Sequence, residues 1–273
     1  MKIRYSARSH TGFVRTQNQD NLLANGIYID KDYGDCTFSI DGYSEEPVVL
    51  AVCDGMGGED GGEVASLYTV RAFCDIETDL GLSAPEMTED LIQDCVNRVN
   101  SEIHAKYAGT DKRAGTTLAL VVISDYGIQC FNIGDTRVYK LGKTGLCKIT
   151  KDHTFSADKV KCGIITEEQV GFDKDRHKLT KCIGIGVDHA VESYPLIKEK
   201  CRLIICSDGL TDMVADCQIE EIMQSDKYAK TVADDLLKMA LQNGGRDNIS
   251  LIVADVSVRK TILLNTQKNK FRK

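Results

Sequence analysis

At 273 residues the chain is long enough to bury a full hydrophobic core, and its formal charge of −7 argues against a general nucleic-acid binder, because phosphate backbones reward basic surfaces. Its eleven cysteines, an odd number with no Cys-x-x-Cys pair, read as reduced cytosolic thiols that mostly fill core positions, and no zinc site is expected from them. Three prolines and no Ser/Gly-rich or charge-block linker leave no mark of a domain boundary, so a single domain over 1–258 is expected, with a basic tail over 259–273.

Met1-Lys-Ile-Arg-Tyr-Ser6 alternates polar and apolar residues and lacks an apolar h-region, so residues 2 to 9 read as a strand and not as a signal peptide. No run approaches the ~18 apolar residues of a membrane span. Ile27 to Glu46 carries Gly34, Gly42 and many acids, which suits a hairpin or a surface insertion. Val48-Val-Leu-Ala-Val-Cys53 reads as a buried strand that ends on Asp54 and three glycines, where the backbone turns and a ligand can come close to it. The apolar positions Val64, Ala65, Leu67, Tyr68, Ala72 and Phe73 predict a helix over 61–79. A second helix is predicted from Thr88, as N-cap, to Tyr107, with Leu91, Ile92, Cys95, Val96, Val99 and Ile103 on one face.

The period then changes. Residues 116–123, 128–133 and 137–141 are short strands separated by Asp125-Tyr-Gly127 and Gly134-Asp-Thr136, the pattern of an antiparallel meander. Residues 154–178 are polar with two short helical patterns, and the strand Arg202–Cys206 runs straight into Ser207-Asp-Gly-Leu210. A helix over 227–242 turns Val232, Leu236, Leu237 and Leu241 inward and stops at Gly244-Gly245. Residues 249–256 form the last core strand, and the chain from Gln267 onward is expected to fray.

One pattern recurs at distant positions. Asp54 and Asp208 each follow an apolar strand and precede a glycine, Asp20 and Asp247 each precede an asparagine just outside apolar stretches, and Asp135 sits in a third turn. Any one of these alone reads as an ordinary turn. If the strand ends converge to about 5 Å, each pair of carboxylates costs roughly 3 kcal/mol at an effective dielectric near 20, and something positive must offset it. An all-oxygen donor set favours Mg²⁺ or Mn²⁺ over Zn²⁺, and two such ions orient water for in-line attack on phosphorus.

With these residues the sequence resembles the metal-dependent Ser/Thr protein phosphatases of type 2C, the PPM family, over Thr11 to Asp255. Arg15-Thr-Gln-Asn-Gln-Asp20, Cys53-Asp-Gly-Met-Gly-Gly58, Ala114-Gly-Thr-Thr117 and Asn132-Ile-Gly-Asp-Thr-Arg137 are similar to its first four motifs, in order. Thr150-Lys-Asp-His-Thr154, Leu179-Thr-Lys-Cys-Ile-Gly184, Cys206-Ser-Asp-Gly-Leu210 and Gly245-Arg-Asp-Asn-Ile-Ser250 resemble the rest. The resemblance implies an α+β fold: a central sandwich of two antiparallel β-sheets flanked by helices on both sides, with the metal site in a cleft at one end.

It also implies roles. Asp54 would bridge two tightly bound Mn²⁺ or Mg²⁺ ions, the Gly55 carbonyl would bind one of them, Asp208 and Asp247 would ligate the other, and Asp20 would hold metal-bound waters. Asp135, with Asp208 and Asp212, resembles a third, weaker metal site. Arg15 would grip the substrate phosphate, for which a guanidinium fork suits two oxygens at once. The catalytic set is therefore Arg15, Asp54 and Asp208, and 154–178 corresponds to the family's flap subdomain, a cover that selects the phosphoprotein.

Two positions depart from the pattern. Gln19 stands where many relatives carry a metal-contacting Glu, and Met56 where animal members have a histidine proposed as general acid. A metal-bound water is then the expected proton donor, with His10, His153 and His177 as alternatives. The expectation is a bacterial-type, cytoplasmic, monomeric enzyme that hydrolyses phosphoserine and phosphothreonine in proteins without a covalent phosphoenzyme. Its partners are expected to be phosphorylated proteins including a Ser/Thr protein kinase, with no nucleic acid and no membrane span. The other readings are an inactive member that binds phosphoproteins and a phosphatase of a sigma-factor pathway.

Overall fold

A computed structural model describes residues 1–30, 37–57, 61–186 and 188–257. The chain opens with β1 (Lys2–His10), β2 (Asn21–Ala24), β3 (Ile27–Tyr28), β4 (Phe38–Ser44), β5 (Val48–Cys53) and β6 (Gly55–Met56), followed by helices α1 (Gly61–Asp75), α2 (Glu77–Leu82) and α3 (Pro85–Tyr107). Next come β7 (Gly115–Thr116), β8 (Leu118–Ser124), β9 (Gly127–Ile133), β10 (Arg137–Gly142) and β11 (Gly145–Lys148), then α4 (Phe155–Lys161) and α5 (Glu167–Val170) in the polar segment. The remainder is β12 (Glu192–Ser193), β13 (Cys201–Cys206), α6 (Asp208–Thr211), α7 (Asp216–Gln224), α8 (Ala229–Gln242) and β14 (Ile249–Ser257).

Two six-stranded antiparallel sheets result, ordered β11-β10-β13-β14-β1-β4 and β12-β9-β8-β5-β2-β3. The period of two along each strand decides the layers. Val48, Leu50 and Val52 of β5 point into the core between the sheets, where they meet Ile252, Ala254 and Val256 of β14. Val49, Ala51 and Cys53 point the other way, onto Val70 and Phe73 of α1 and Ile92, Val96 and Val99 of α3. In the second sheet Leu251 and Val253 face Val232, Leu236 and Ala240 of α8. Both faces of the central strands are covered, which is why they read as unbroken apolar runs. The expected four layers, helix–sheet–sheet–helix, are the ones observed.

Several local expectations are corrected. The helix over 61–79 breaks at Ile76, and the Glu77 carboxylate turns in to accept a hydrogen bond from Val49 N at 3.3 Å. The following helix begins three residues before Thr88, with Pro85 in its first turn; the Thr88 hydroxyl bonds back to Ala84 O at 3.0 Å instead of capping. Among the described residues of 27–46, β3 and β4 do not pair with each other as a hairpin: β3 pairs with β2 at an edge of one sheet and β4 with β1 at an edge of the other. The three-strand meander is also incomplete: β8 pairs with β9, but β10 pairs with β11 and β13 in the opposite sheet. Gly134-Asp135-Thr136 is therefore a crossover between sheets and not a hairpin turn. The tail over 259–273, like Gly34 and Gly58, lies outside the described residues. No helix among the described residues is long and apolar enough to cross a membrane.

Candidate metal centre and active site

Strand register brings the predicted aspartates to one end of the sandwich. Asn21 lies opposite Cys53, so Asp20 enters β2 where Asp54 leaves β5. Leu118 lies opposite Ile133, which puts the Gly134–Thr136 crossover at that same end. In the other sheet Cys206 is opposite both Arg137 and Leu251, and His10 is opposite Ile249, so Asp208 leaves β13 where Asp247 approaches β14.

Each carboxylate is held by main-chain geometry. The Thr117 N–H and the Thr116 hydroxyl both donate to Asp54 O at 2.9 Å, and the Asp54 N–H donates to Thr117 Oγ1 at 2.9 Å. Thr117 Oγ1 also bonds the Thr136 hydroxyl, tying Asp54 to the crossover that carries Asp135. A side chain at Gly55 would place its Cβ 2.2 Å from Gly62 O and 2.4 Å from Gln19 O, and one at Gly209 would lie 1.9 Å from Asn248 O. Asn248 organises the loop bearing Arg15: its amide donates to Thr11 O at 2.8 Å and Gln17 O at 3.0 Å, while its carbonyl accepts from Gln19 N at 2.8 Å.

The electrostatics are those of crowded, uncompensated acids. Burial, then Asp208 and Asp247, push Asp20 up to about 7 against the hydrogen bonds from Ser207 and Ser250. Asp54 is held well above the carboxylate range by burial and then by Asp20, Asp208, Asp135 and Asp247. Burial, Asp208 and Asp152 push Asp135 up to about 8. Among the described residues no Lys or Arg pairs with Asp20, Asp54 or Asp135, whereas Asp152 takes Arg137 at 2.7 Å and stays below its usual range despite burial. Buried carboxylates of hard oxygen donors without counter-charge fit divalent Mg²⁺ or Mn²⁺.

The sequence placed some residues in the cluster without their partners. Asp20 accepts from Ser207 Oγ at 2.7 Å, and Asp247 is bonded to Arg15 Nη2 at 2.7 Å. Asp212 lies beside the cluster, 3.3 Å from Arg176 Nη2 and 3.4 Å from His177 Nε2. Gln19, at the departure from the family pattern, donates from its side chain to Gly57 O at 3.4 Å. Met56 is in β6, paired with Gly115 of β7. His10 Nδ1 accepts from Gly12 N at 2.8 Å, and buried His153 accepts from Gly134 N at 3.0 Å and meets Glu192 at 2.9 Å. Of the three histidines weighed as acids, His177 is the one that contacts cluster carboxylates.

Ser207, Thr117 and Asn248 were missed as site residues. Ser207 and Asn248 lay within the quoted motifs, adjacent to Asp208 and Asp247, so their position in sequence was the available signal. Thr117 likewise lay within the quoted Ala114–Thr117 motif, immediately before β8.

Sandwich and carboxylate cluster together define a protein built around hard divalent cations. The family model described as Protein phosphatase 2C matches residues 34–248, and the chain belongs to that family. It is similar to serine/threonine phosphatase stp of Listeria innocua, with 30% identity over 254 residues covering 91% of this chain and 94% of that protein. Its fold matches the crystal structure of the Mycobacterium tuberculosis serine/threonine phosphatase PstP/Ppp with a TM-score of 0.77 and 30% identity, over 94% of this chain and 100% of that one. The catalytic domain of PstP in complex with two manganese ions matches with a TM-score of 0.72 and 28% identity, over 93% and 99% of the two chains.

Proposed function

We propose that this chain is a metal-dependent protein serine/threonine phosphatase that hydrolyses phosphoserine and phosphothreonine in proteins. The observation that carries this reading is the convergence of Asp20, Asp54, Asp135, Asp208 and Asp247 at one end of the sandwich, with no Lys or Arg among the described residues paired to Asp20, Asp54 or Asp135. Asp54, the Gly55 carbonyl, Asp208 and Asp247 would hold two Mn²⁺ or Mg²⁺ ions, with Asp20 behind them and Asp135 at a third, weaker position. Such ions supply the positive charge that ionises water at neutral pH and offsets the charge of a phosphoryl group.

The protein's own residues do the rest. Thr117 fixes the Asp54 backbone, and Asn248 fixes the loop that presents Arg15. Arg15 is 56% exposed and turned toward the carboxylates, so its guanidinium can reach a phosphate at the mouth of the site. Residues 154–178 cover one side of a cavity of about 910 Å³ whose walls include Asp135, Arg137, His177 and Asp208. Within this cover Lys159 joins Asp173 at 2.8 Å and Asp175 at 2.7 Å, while Phe172 is left 93% exposed. The cover suits selection among phosphoproteins within one catalytic domain over 1–258.

The bacterial style of the motifs supports a cytoplasmic, monomeric enzyme whose partners include a Ser/Thr protein kinase, by family analogy. The test is turnover of p-nitrophenyl phosphate by the purified protein. Activity should require Mn²⁺ or Mg²⁺, vanish with EDTA and be lost in Asp208→Asn. Wild-type protein inert at millimolar Mn²⁺ would replace this reading with that of an inactive, phosphoprotein-binding member.

A further inference from the structure

The loop that carries Arg15 also forms one wall of a groove leading away from the aspartates. Ser9 lies opposite Phe38, so β4 begins at the same end of its sheet as the aspartates, and it is the last strand of that sheet. Between this end of β4 and the C-terminal half of α8 lies a cavity of about 400 Å³. Ser39 lines one side, Leu237, Lys238 and Leu241 the other, and Phe13 joins them. Phe13 and Arg15 are two residues apart, a span of at most ~7 Å.

The loop is clamped where it meets α8. The Phe13 N–H donates to Gly245 O at 2.7 Å, and a Cβ at Gly12 would lie 2.2 Å from Asp247 O. A Cβ at Gly245 would touch Leu241 Cδ2 at 3.1 Å and Phe13 Cδ2 at 3.2 Å, so these two side chains meet over Gly245. The His10 ring stands edge-to-face with the Phe13 ring, centroids 6.0 Å apart. Phe13 and its neighbour Val14 are nonetheless 67% and 66% exposed. Adjoining apolar side chains left open beside a polar site mark a contact surface. The charged groups beneath them are already matched, because Arg8 Nε donates to Asp234 Oδ1 at 2.6 Å. What the groove offers a ligand is therefore mostly carbon, with Lys238 and the Ser39 hydroxyl at its rim.

We propose that this groove takes an apolar side chain of the phosphoprotein substrate, two or three residues from the phosphoserine or phosphothreonine, and so selects substrates by their sequence. The chain's reach sets that spacing: with the phosphate at Arg15 and the groove opening at Phe13, an extended peptide at about 3.3–3.6 Å per residue crosses the gap in two or three residues. The groove's continuity with the proposed phosphate site is what identifies its occupant as the substrate. The inference rests on the phosphatase reading and narrows its substrate class.

The experiment uses the full chain with Mn²⁺ and phosphothreonine peptides in a Gly/Ser background, in which one leucine or one alanine is moved through the positions on either side of the phosphothreonine. Phosphate release should give a kcat/KM about tenfold higher for leucine than for alanine at one position two or three residues away, chiefly through KM. Leu241→Glu puts a charge into the groove, and Ser39→Arg fills it from the exposed face of β4; each should bring that ratio below about twofold. The ratio is taken within one protein, so a change in overall activity or stability cancels. Hydrolysis without a leucine preference, or a preference that survives in Leu241→Glu and Ser39→Arg alike, overturns the groove and leaves the phosphatase reading intact. If no peptide is hydrolysed, fluorescence anisotropy of the same peptides, labelled, reads their binding. A leucine preference in binding that both variants lose then supports the groove and removes turnover alone, whereas no preference in binding overturns it.

Discussion

Arg15 Nη2 and Asp247 Oδ2 are bonded at 2.7 Å, so the proposed phosphate fork and a proposed cation ligand hold each other. Both side chains are more than one-third exposed, and an exposed pair of this kind contributes at most about 1 kcal/mol. Arg15→Ala should therefore leave the urea midpoint nearly unchanged. It should lower kcat/KM roughly 10- to 100-fold, chiefly through KM, because a charge-assisted contact to phosphate is lost. Steady-state kinetics beside urea titration separate the two effects, and an unaltered kcat/KM would remove Arg15 from substrate binding.

Thr117→Val keeps the shape of the side chain but leaves the Asp54 N–H without its acceptor at the edge of the core. The expected cost is about 1–3 kcal/mol of stability, with a fall in turnover larger than any change in KM. Chemical denaturation and kinetics on the same preparation check both. Equal stability in the two proteins would mean that water or a neighbouring oxygen takes over the acceptor's place.

Gly209→Ala forces a methyl to within 1.9 Å of Asn248 O. That contact cannot be met without moving the backbone that positions Asp208 and Asp247. A loss of at least about 1–3 kcal/mol in urea unfolding is expected, together with weaker Mn²⁺ binding by calorimetry. Wild-type Mn²⁺ affinity in this variant would show that the two loops move independently.

Acid should weaken the opposite side of the same sheet. Burial alone would raise the Asp41 pKa, but hydrogen bonds from Ser6, Lys230 and Arg8 outweigh it and hold the carboxyl at about 2, below its ordinary 3.8. Because the folded value is depressed, the contribution is complete above the unfolded pKa and is lost as pH falls from about 4 to about 2. Asp41 is partly exposed, so screening limits the effect to about 1 kcal/mol. Urea midpoints of wild type and Asp41→Asn should differ at pH 6 and converge near pH 2; a constant difference would rule out the linkage.

Chelation should destabilise the protein as well as inactivate it, because the crowded aspartates then lose the charge that offsets them. Mn²⁺ at about 100 times its dissociation constant should contribute about 2.7 kcal/mol, read as a rise in Tm. A Tm indifferent to EDTA and Mn²⁺ would contradict metal binding by this cluster.

Asp54 and Asp208 were legible in the sequence because a strand of fixed period ends on each, and register then carries both to one edge. Asp135 was legible as a turn residue, but local chemistry could not tell a hairpin from a crossover; the choice is made by the pairing of β10 with β13, more than sixty residues away. The start of α3 was misjudged because Thr88 has a good capping side chain, while Pro85 already fits the first turn. His177 was visible only as one histidine among several. Its approach to Asp208 depends on how a polar segment folds back, which no hydrophobic period records.

The crossover at Gly134–Thr136 also makes the site a gauge of the interior. Asp135 hangs from the seam between the sheets, while Asp54 belongs to one sheet and Asp208 to the other. Their spacing is therefore set by the thickness of the layer formed by Leu50, Val52, Ile205 and Ile252, none of which touches solvent. A methyl gained or lost in that layer should shift the sheets against each other and with them the spacing of the proposed cation ligands, without altering any of those side chains.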